Sequence, residues 1–387
     1  MNRFFAPCPR GLEAVLAADL SALAATDVVA VEGGVQFSGE FGLCYTINLE
    51  SRIASRVLWQ VAQETYRDEQ DVYDAARALT WREWFGPERS IRVNVAAIKS
   101  PLKSLDYATL RIKDAVCDAF RAATGRRPDV DTRTPDVRIH AFLTTNTITI
   151  YLDTSGEALF KRGYRRESGE APLRENLAAG ILRLSGWTPG VPLLDPMCGS
   201  GTFLCEAAMI ACRIAPGSNR SFGFEKLNRF DRSAWQALRE RAQAASNKTI
   251  KTNIYGRERY GDVLKLARSN LAALGLEHAV QLKQMDVLDG GPPAESGILV
   301  MNPPYGERLS DREALAALYP KLGDVLKRRF AGWTAWIFTA DLRLPKLIRL
   351  EASRRIPLYN GALECRLLKY EMVAGSRRRV KAVITNG

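Results

Sequence analysis

The chain has 387 residues, 46% of them hydrophobic and 25% charged, with 55 Lys+Arg against 43 Asp+Glu and a formal net charge of +12. That length suits two or three domains with cores of their own, and the balance of apolar and charged residues excludes a disordered or collagen-like chain. No apolar run approaches the ~18 residues that span a bilayer. The first twenty residues carry Arg3, Arg10, Glu13 and Asp19 through their apolar stretch, unlike a secretory signal. Seven cysteines, an odd number scattered along the chain, suggest reduced thiols in a cytoplasmic protein.

Charge is unevenly spread. Residues 1–155 hold 18 Lys+Arg and 20 Asp+Glu, whereas residues 156–387 hold 37 and 23, a net of +14 in the second part. This asymmetry favours a polyanionic partner such as RNA or DNA, set against the plainer reading of a solubilising surface.

Leu12, Val15, Leu16, Leu20 and Leu23 recur at helical spacing in residues 11–24, and Val35, Phe37 and Phe41 after the Gly33-Gly34 turn suggest strands. A second α+β unit follows, with alternation at 91–98, a helical pattern from Leu105 to Ala123, and further alternation at 137–143 and 148–152. At the junction, Lys161-Arg162-Gly163-Tyr164-Arg165-Arg166 reads either as a phosphate clamp with a stacking platform or as a solvated loop. From Arg174 onward helices and strands alternate, which predicts a doubly wound parallel sheet. Asn360-Gly361 predicts a two-residue turn in a closing hairpin.

Within this second part, residues 191–194 form a short apolar strand, followed by Asp195-Pro196-Met197-Cys198-Gly199-Ser200-Gly201-Thr202 and a helix from Phe203 to Ile214. Gly199 and Gly201 allow a sharp turn and close approach of a ligand at the carboxyl end of a parallel strand. Glu258, ending the next strand, can accept both hydroxyls of a ribose, and Asp286, ending the third, can accept from an adenine amine. Without a pyrophosphate clamp, S-adenosylmethionine fits these acids better than a dinucleotide. Sixty-three positions separate Asp195 from Glu258, too many for one crossover helix, so residues 216–250 are expected to be a surface insertion.

Residues 297–301 are a fourth apolar strand, and Asn302-Pro303-Pro304-Tyr305 follows it. An exocyclic nucleobase amine is a poor nucleophile because its lone pair is delocalised into the ring. The Asn302 side-chain oxygen and the Pro303 carbonyl can accept its two N–H groups and draw the lone pair out of conjugation. Pro304 stiffens that carbonyl and offers no competing N–H, while Tyr305 supplies a stacking face for an extruded base. Two histidines, His140 and His278, with no paired cysteines argue against a metal site.

These residues carry a resemblance. The segments Asp195–Thr202 and Asn302-Pro303-Pro304-Tyr305-Gly306-Glu307-Arg308-Leu309 are similar to those of class I S-adenosylmethionine-dependent RNA guanine-N2 methyltransferases with a THUMP domain. Residues 107–116, 128–131 and 152–156 resemble the THUMP module, and Phe4-Phe5-Ala6, Arg10-Gly11-Leu12-Glu13 and Gly33-Gly34-Val35 resemble the small domain preceding it. The resemblance covers essentially the whole chain and is greatest to bacterial 23S ribosomal RNA enzymes of the RlmL type. It implies an α/β protein: a Rossmann-like methyltransferase domain with a C-terminal hairpin at 157–387, a small α+β domain at 1–60 and a THUMP-like domain at 61–156.

By the same resemblance Asp195, Pro196, Gly199, Ser200, Gly201, Thr202, Glu258 and Asp286 line S-adenosylmethionine, and Asn302, Pro303, Pro304 and Tyr305 act on guanine N2. Some relatives carry a second fused methyltransferase, so one activity is expected here. Glu258 lies between Arg257 and Arg259, where relatives more often have aspartate after serine. The rival readings are a transfer-RNA enzyme of the same architecture, an adenine-N6 DNA or glutamine-N5 protein methyltransferase using the same motif, and a non-catalytic RNA-binding assembly factor.

Overall fold

The computed structural model of the chain describes residues 1–165, 173–304 and 309–373. Two compact units emerge, Met1–Leu184 with Met209–Ile250, and Ser185–Ala208 with Lys251–Gly387.

The first unit is built on a seven-stranded sheet. Its strands are β1 (Asn2–Pro7), β2 (Thr26–Val31), β3 (Gly34–Gly39), β4 (Leu58–Thr65), β5 (Ile91–Ala97), β6 (Val137–Leu143) and β7 (Thr147–Asp153), in the order β2-β3-β1-β4-β7-β6-β5. β5 pairs with β6 in parallel, and the other neighbours pair antiparallel. Helices α1 (Glu13–Ala22), α2 (Leu43–Glu50), α3 (Glu69–Arg77), α4 (Leu105–Thr124) and α5 (Glu175–Leu184) complete the scaffold. Alternation and helical spacing anticipate α1, β3, β5, α4, β6 and β7. They give no sign of β1, β4 or α3, and they miss β2, whose outward-facing residues give no buried alternation, and α2, which is buried on nearly every side. α4 has clear ends: the Ser104 hydroxyl accepts from the Tyr107 N–H, and Gly125 terminates the helix at φ +72°.

A buried polar node holds the end of β7. Asn48 Nδ2 donates to Thr154 Oγ1 at 2.9 Å, Ser155 Oγ donates to Asn48 Oδ1 at 2.6 Å, and the Val57 N–H donates to Ser155 Oγ at 2.8 Å. Arg56 pairs with the buried Asp153 carboxylate, and His140 Nε2 lies 3.4 Å from it. Burial alone would raise the Asp153 pKa, but His140 and Arg56 outweigh it and hold the carboxyl below its ordinary value. The Lys161–Arg165 segment takes neither of its expected forms. Arg162 is buried and donates to the Leu159 and Arg52 carbonyls at 2.7 Å each, Tyr164 is buried, and Arg165 lies 3.2 Å from Glu175. Arg166 lies outside the described residues.

The division between the units falls inside α6 (Thr202–Ala211). Residues 216–250, expected on the surface, carry α7 (Arg232–Ala245), whose buried Trp235 joins an aromatic cluster. Its ring centroid is 6.2 Å from Tyr45, 5.5 Å from Phe222 and 5.1 Å from Phe224. The Tyr45 hydroxyl donates to the Arg229 carbonyl at 3.2 Å and accepts from the Asp231 N–H at 2.9 Å. The segment thus supplies core to the first unit.

The second unit holds β8 (Leu193–Asp195), β9 (Ile254–Glu258), β10 (Gln281–Gln284), β11 (Gly297–Met301), β12 (Trp333–Thr339), β13 (Arg354–Asn360) and β14 (Leu363–Glu371). Their order is β10-β9-β8-β11-β12-β14-β13, with the first five parallel and β14 antiparallel to β12. This is the doubly wound sheet with closing hairpin that the sequence leads one to expect. The hairpin turn sits one residue later than expected, on Gly361-Ala362, because Asn360 pairs with Leu363, and Gly361 takes φ +67°. Helices α8 (Gly261–Leu274), α9 (Leu309–Arg329) and α10 (Leu344–Leu347) flank the sheet. Leu299, Met301, Trp333, Ala335 and Ile337 pack with Tyr319, Leu322 and Leu326 of α9 in one continuous core. Among the described residues, no helix is long and apolar enough to cross a membrane.

Two stability effects are expected. Trp235→Ala empties a closely packed aromatic site and should destabilise the first unit by about 3–5 kcal/mol in urea-induced unfolding. Because the Asp153 carboxyl titrates below its unfolded value, its contribution is complete above about pH 4 and disappears as pH falls through the lowered value. The stability advantage of wild type over Asp153→Asn should therefore shrink in acid, measured by unfolding across pH 2–7.

Candidate active site

The parallel strands of the second unit deliver their chains to one edge of the sheet. At the end of β8, Asp195 is buried, and its Oδ1 accepts from the Met197 N–H at 3.1 Å, which tightens the turn into the glycine loop. Burial pushes the Asp195 carboxyl well above its usual range and the nearby Glu258 carboxylate adds to the shift, opposed by the Met197 hydrogen bond. Gly199 and Gly201 take φ +53° and +81°. A Cβ at Gly199 would stand in open space, whereas one at Gly201 would come within 3.0 Å of the Ala267 Cβ. The first glycine thus leaves an open approach to the backbone, and the second lets α8 pack closely.

The glycine loop is stitched to its neighbour strand. The Cys198 N–H donates to the Arg257 carbonyl at 2.8 Å, and the Gly199 N–H donates to Glu258 Oε2 at 3.1 Å. Glu258 Oε1 accepts from the Tyr260 N–H at 3.1 Å, so two backbone amides fix this carboxylate. Asn270 of α8 donates to the Ser200 carbonyl at 2.9 Å from a buried position. Beyond β10, Asp286 Oδ1 accepts from the Leu288 N–H at 2.9 Å, and the Arg259 guanidinium lies 3.4 Å from Oδ2. The Met285 N–H donates to the Glu258 carbonyl at 2.9 Å, which ties the second and third strand ends together.

A cavity of about 510 Å³ opens along these strand ends. Pro196, Glu258, Asp286 and Pro304 line it, so four of the residues singled out in the sequence meet there. Asp195, Gly199, Ser200, Gly201, Asn302 and Pro303 are outside its lining, in strand ends and loops, as is Thr202 at the start of α6. Asn302 directly follows β11, as its position after the apolar run implied. Tyr305 lies outside the described residues. The far wall is a face of α9, made by Ala314, Ala317, Leu318 and Lys321. That wall escaped the sequence reading, although the i, i+3, i+4, i+7 spacing of these residues marks one helix face. Arg259 and Tyr260 were also missed as lining residues, since an arginine and a tyrosine after a strand carry no distinctive spacing.

Two carboxylates held by backbone amides, an open glycine backbone and a cavity of this size suit an adenosine with a short charged tail. No group of three or more His, Cys, Asp or Glu side chains among the described residues could hold a metal ion. All seven cysteines are buried and free of disulfides.

Comparison with known proteins agrees with this chemistry. Residues 162–369 match the RMKL-like methyltransferase domain family, residues 66–153 the THUMP domain and residues 3–58 the RlmL ferredoxin-like domain. A putative RNA methyltransferase of Synechocystis sp. is 40% identical over 370 residues, covering 95% of this chain and 96% of that protein. The ribosomal RNA large subunit methyltransferase K/L of Photobacterium profundum is 39% identical across 98% of this chain. The chain spans 54% of that relative, about half its length. Among solved structures, SMU.472, a putative methyltransferase complexed with SAH, superposes with a TM-score of 0.87 at 32% identity, covering 97% of this chain and 99% of that one. The strand order, the cavity at the strand ends and these matches lead to one assignment: the chain belongs to the RMKL-like methyltransferase family, THUMP-containing enzymes that use S-adenosylmethionine.

Proposed function

We propose that the protein transfers a methyl group from S-adenosylmethionine to the exocyclic N2 of a guanosine in 23S ribosomal RNA, in the cytoplasm. The observation that carries the reading is the position of Asn302-Pro303-Pro304, immediately after β11, with Pro304 in the wall of the cofactor-sized cavity. The ribosomal substrate is supported by the relative named a large subunit methyltransferase and by the ferredoxin-like and THUMP matches that precede the methyltransferase domain. In this reading residues 1–60 and 61–156 capture RNA, while residues 157–387 carry out the chemistry. The excess of 14 positive charges beyond residue 155 fits the same polyanionic substrate.

Glu258 would accept from the ribose hydroxyls, and Asp286 would accept from the adenine amine. The bound sulfonium supplies an already activated methyl group. The protein's own residues then have to make the amine nucleophilic and aim it. Asn302 accepts one N–H through its side-chain oxygen, and the Pro303 carbonyl accepts the other. As the nitrogen turns tetrahedral in the transition state both hydrogen bonds strengthen, which is where their contribution to rate lies. Pro304 keeps the carbonyl fixed, and Tyr305 would stack on the base. Alignment and electrostatic support suffice, and no strong base is needed before transfer.

Two outcomes are expected. With labelled S-adenosylmethionine and unmodified 23S ribosomal RNA, the protein should form N2-methylguanosine, and Asn302→Ala should lower kcat by about 10²–10³-fold. The same nucleoside formed only in transfer RNA would keep the mechanism and change the substrate. Glu258→Gln should weaken S-adenosylmethionine binding about 10–100-fold in calorimetry, the effect of losing a hydrogen bond to a charged acceptor.

A further inference from the structure

Four large apolar side chains are exposed among the described residues of the second unit: Tyr260, Leu342, Leu363 and Val373. Tyr260 lines the cavity, and Val373 follows Met372, which bonds with Gly332 and Trp333 at the start of β12. Leu342 follows the other end of β12, at the edge where the cavity opens, and Leu363 at the start of β14 lies at that edge too. β11 and β12 run parallel with Met301 level with Ile337, so Asn302 is level with Phe338. Leu342 is four residues farther along. With adjacent strands ~4.8 Å apart and at most ~3.5 Å of advance per residue, its Cα lies no more than about 19 Å from that of Asn302. Leu342 is 54% exposed.

The turn that presents Leu342 is fastened on both sides. The Asp341 N–H donates to Thr339 Oγ1 at 2.9 Å, and the Leu344 N–H donates to the Asp341 carbonyl at 3.1 Å. Arg343 binds the Asp341 carboxylate through Nε at 2.9 Å and Nη2 at 2.8 Å, and the Tyr319 hydroxyl reaches the same carboxylate at 3.4 Å. Leu344 and Ile348 are fully buried behind the turn. This is a rigid support for a leucine that is more than half exposed. Just after the turn Lys346 and Arg349 are exposed cations, while Arg343 is taken up by Asp341 and Glu351 is the nearest exposed acid along the chain. An apolar partner protein has little use for cations beside the leucine, whereas a nucleic-acid backbone does.

Resting on the RNA reading above, we propose that Leu342 is a wedge that enters the base stack vacated by the target guanosine while the flanking cations hold the phosphates. Turning a base out of a structured RNA leaves a stacking gap, and a rigid apolar side chain fills it without any hydrogen-bond demand. Leu342 therefore acts on extrusion and leaves methyl transfer itself alone.

The test compares Leu342→Ala with wild type on two probes: 23S ribosomal RNA folded in magnesium, and a short unpaired oligonucleotide carrying the guanosine that wild type methylates. The exposed position makes the variant's folding safe, and circular dichroism checks it. The proposal expects a loss of about tenfold or more in kcat/KM on the folded RNA and less than twofold on the oligonucleotide. The Leu342→Met variant should restore most of the activity. Equal loss on both probes, or no loss on either, would overturn it. Failure of wild type to methylate any RNA would instead bring down the RNA reading, a result distinct from both.

Discussion

The site depends on one constraint, the parallel direction of five neighbouring strands. Parallel strands all end at the same edge, so β8, β9, β10 and β11 deliver a glycine loop, Glu258, Asp286 and Asn302 to one rim although up to 107 positions of sequence separate them. Reversing any one strand would send its residue to the opposite edge. The backbone bonds from Cys198 to Arg257 and from Met285 to Glu258, with the Gly199 N–H donating to the Glu258 carboxylate, then lock neighbouring ends together. Both acids are held by amides rather than by flexible side chains, so they are oriented before a ligand arrives.

Much of this was legible in the sequence, and for a physical reason. Buried parallel strands read as short apolar runs, and the chemistry sits directly after them, so Asp195, Glu258 and Asn302 could be placed at strand ends by counting. Asp286 stands two residues past β10, close enough for the same argument. The helix face formed by Ala314, Ala317, Leu318 and Lys321 was less visible, since it matters only once the cavity it faces is known. Asn270, which braces Ser200 from α8, is an ordinary polar residue on a helix until the loop is folded against it.

The first unit shows the opposite case. Residues 216–250 are polar enough to pass for a surface excursion, yet Phe222, Phe224 and Trp235 are buried with Tyr45. The aromatic residues gave the signal, but their partner lay some 180 residues earlier, beyond the reach of local periodicity. The Lys161–Arg165 segment misleads in the other direction. Its charges suggest a phosphate clamp, while the backbone carbonyls of Leu159 and Arg52 absorb Arg162 internally. A charge run is a statement about partners, and in a folded chain those partners are often its own carbonyls.

In the proposed reaction Asn302 and Pro303 act on the amine at guanine C2. Inosine differs from guanosine only in lacking that amine. The decisive measurement is methyl transfer to a 23S ribosomal RNA fragment in which the target guanosine is replaced by inosine, against the unaltered fragment. The account expects transfer to the guanosine fragment and none above background to the inosine fragment, with both bound equally well to within about threefold, the loss of one hydrogen-bonded group. Transfer to the inosine fragment at the guanosine rate would contradict it.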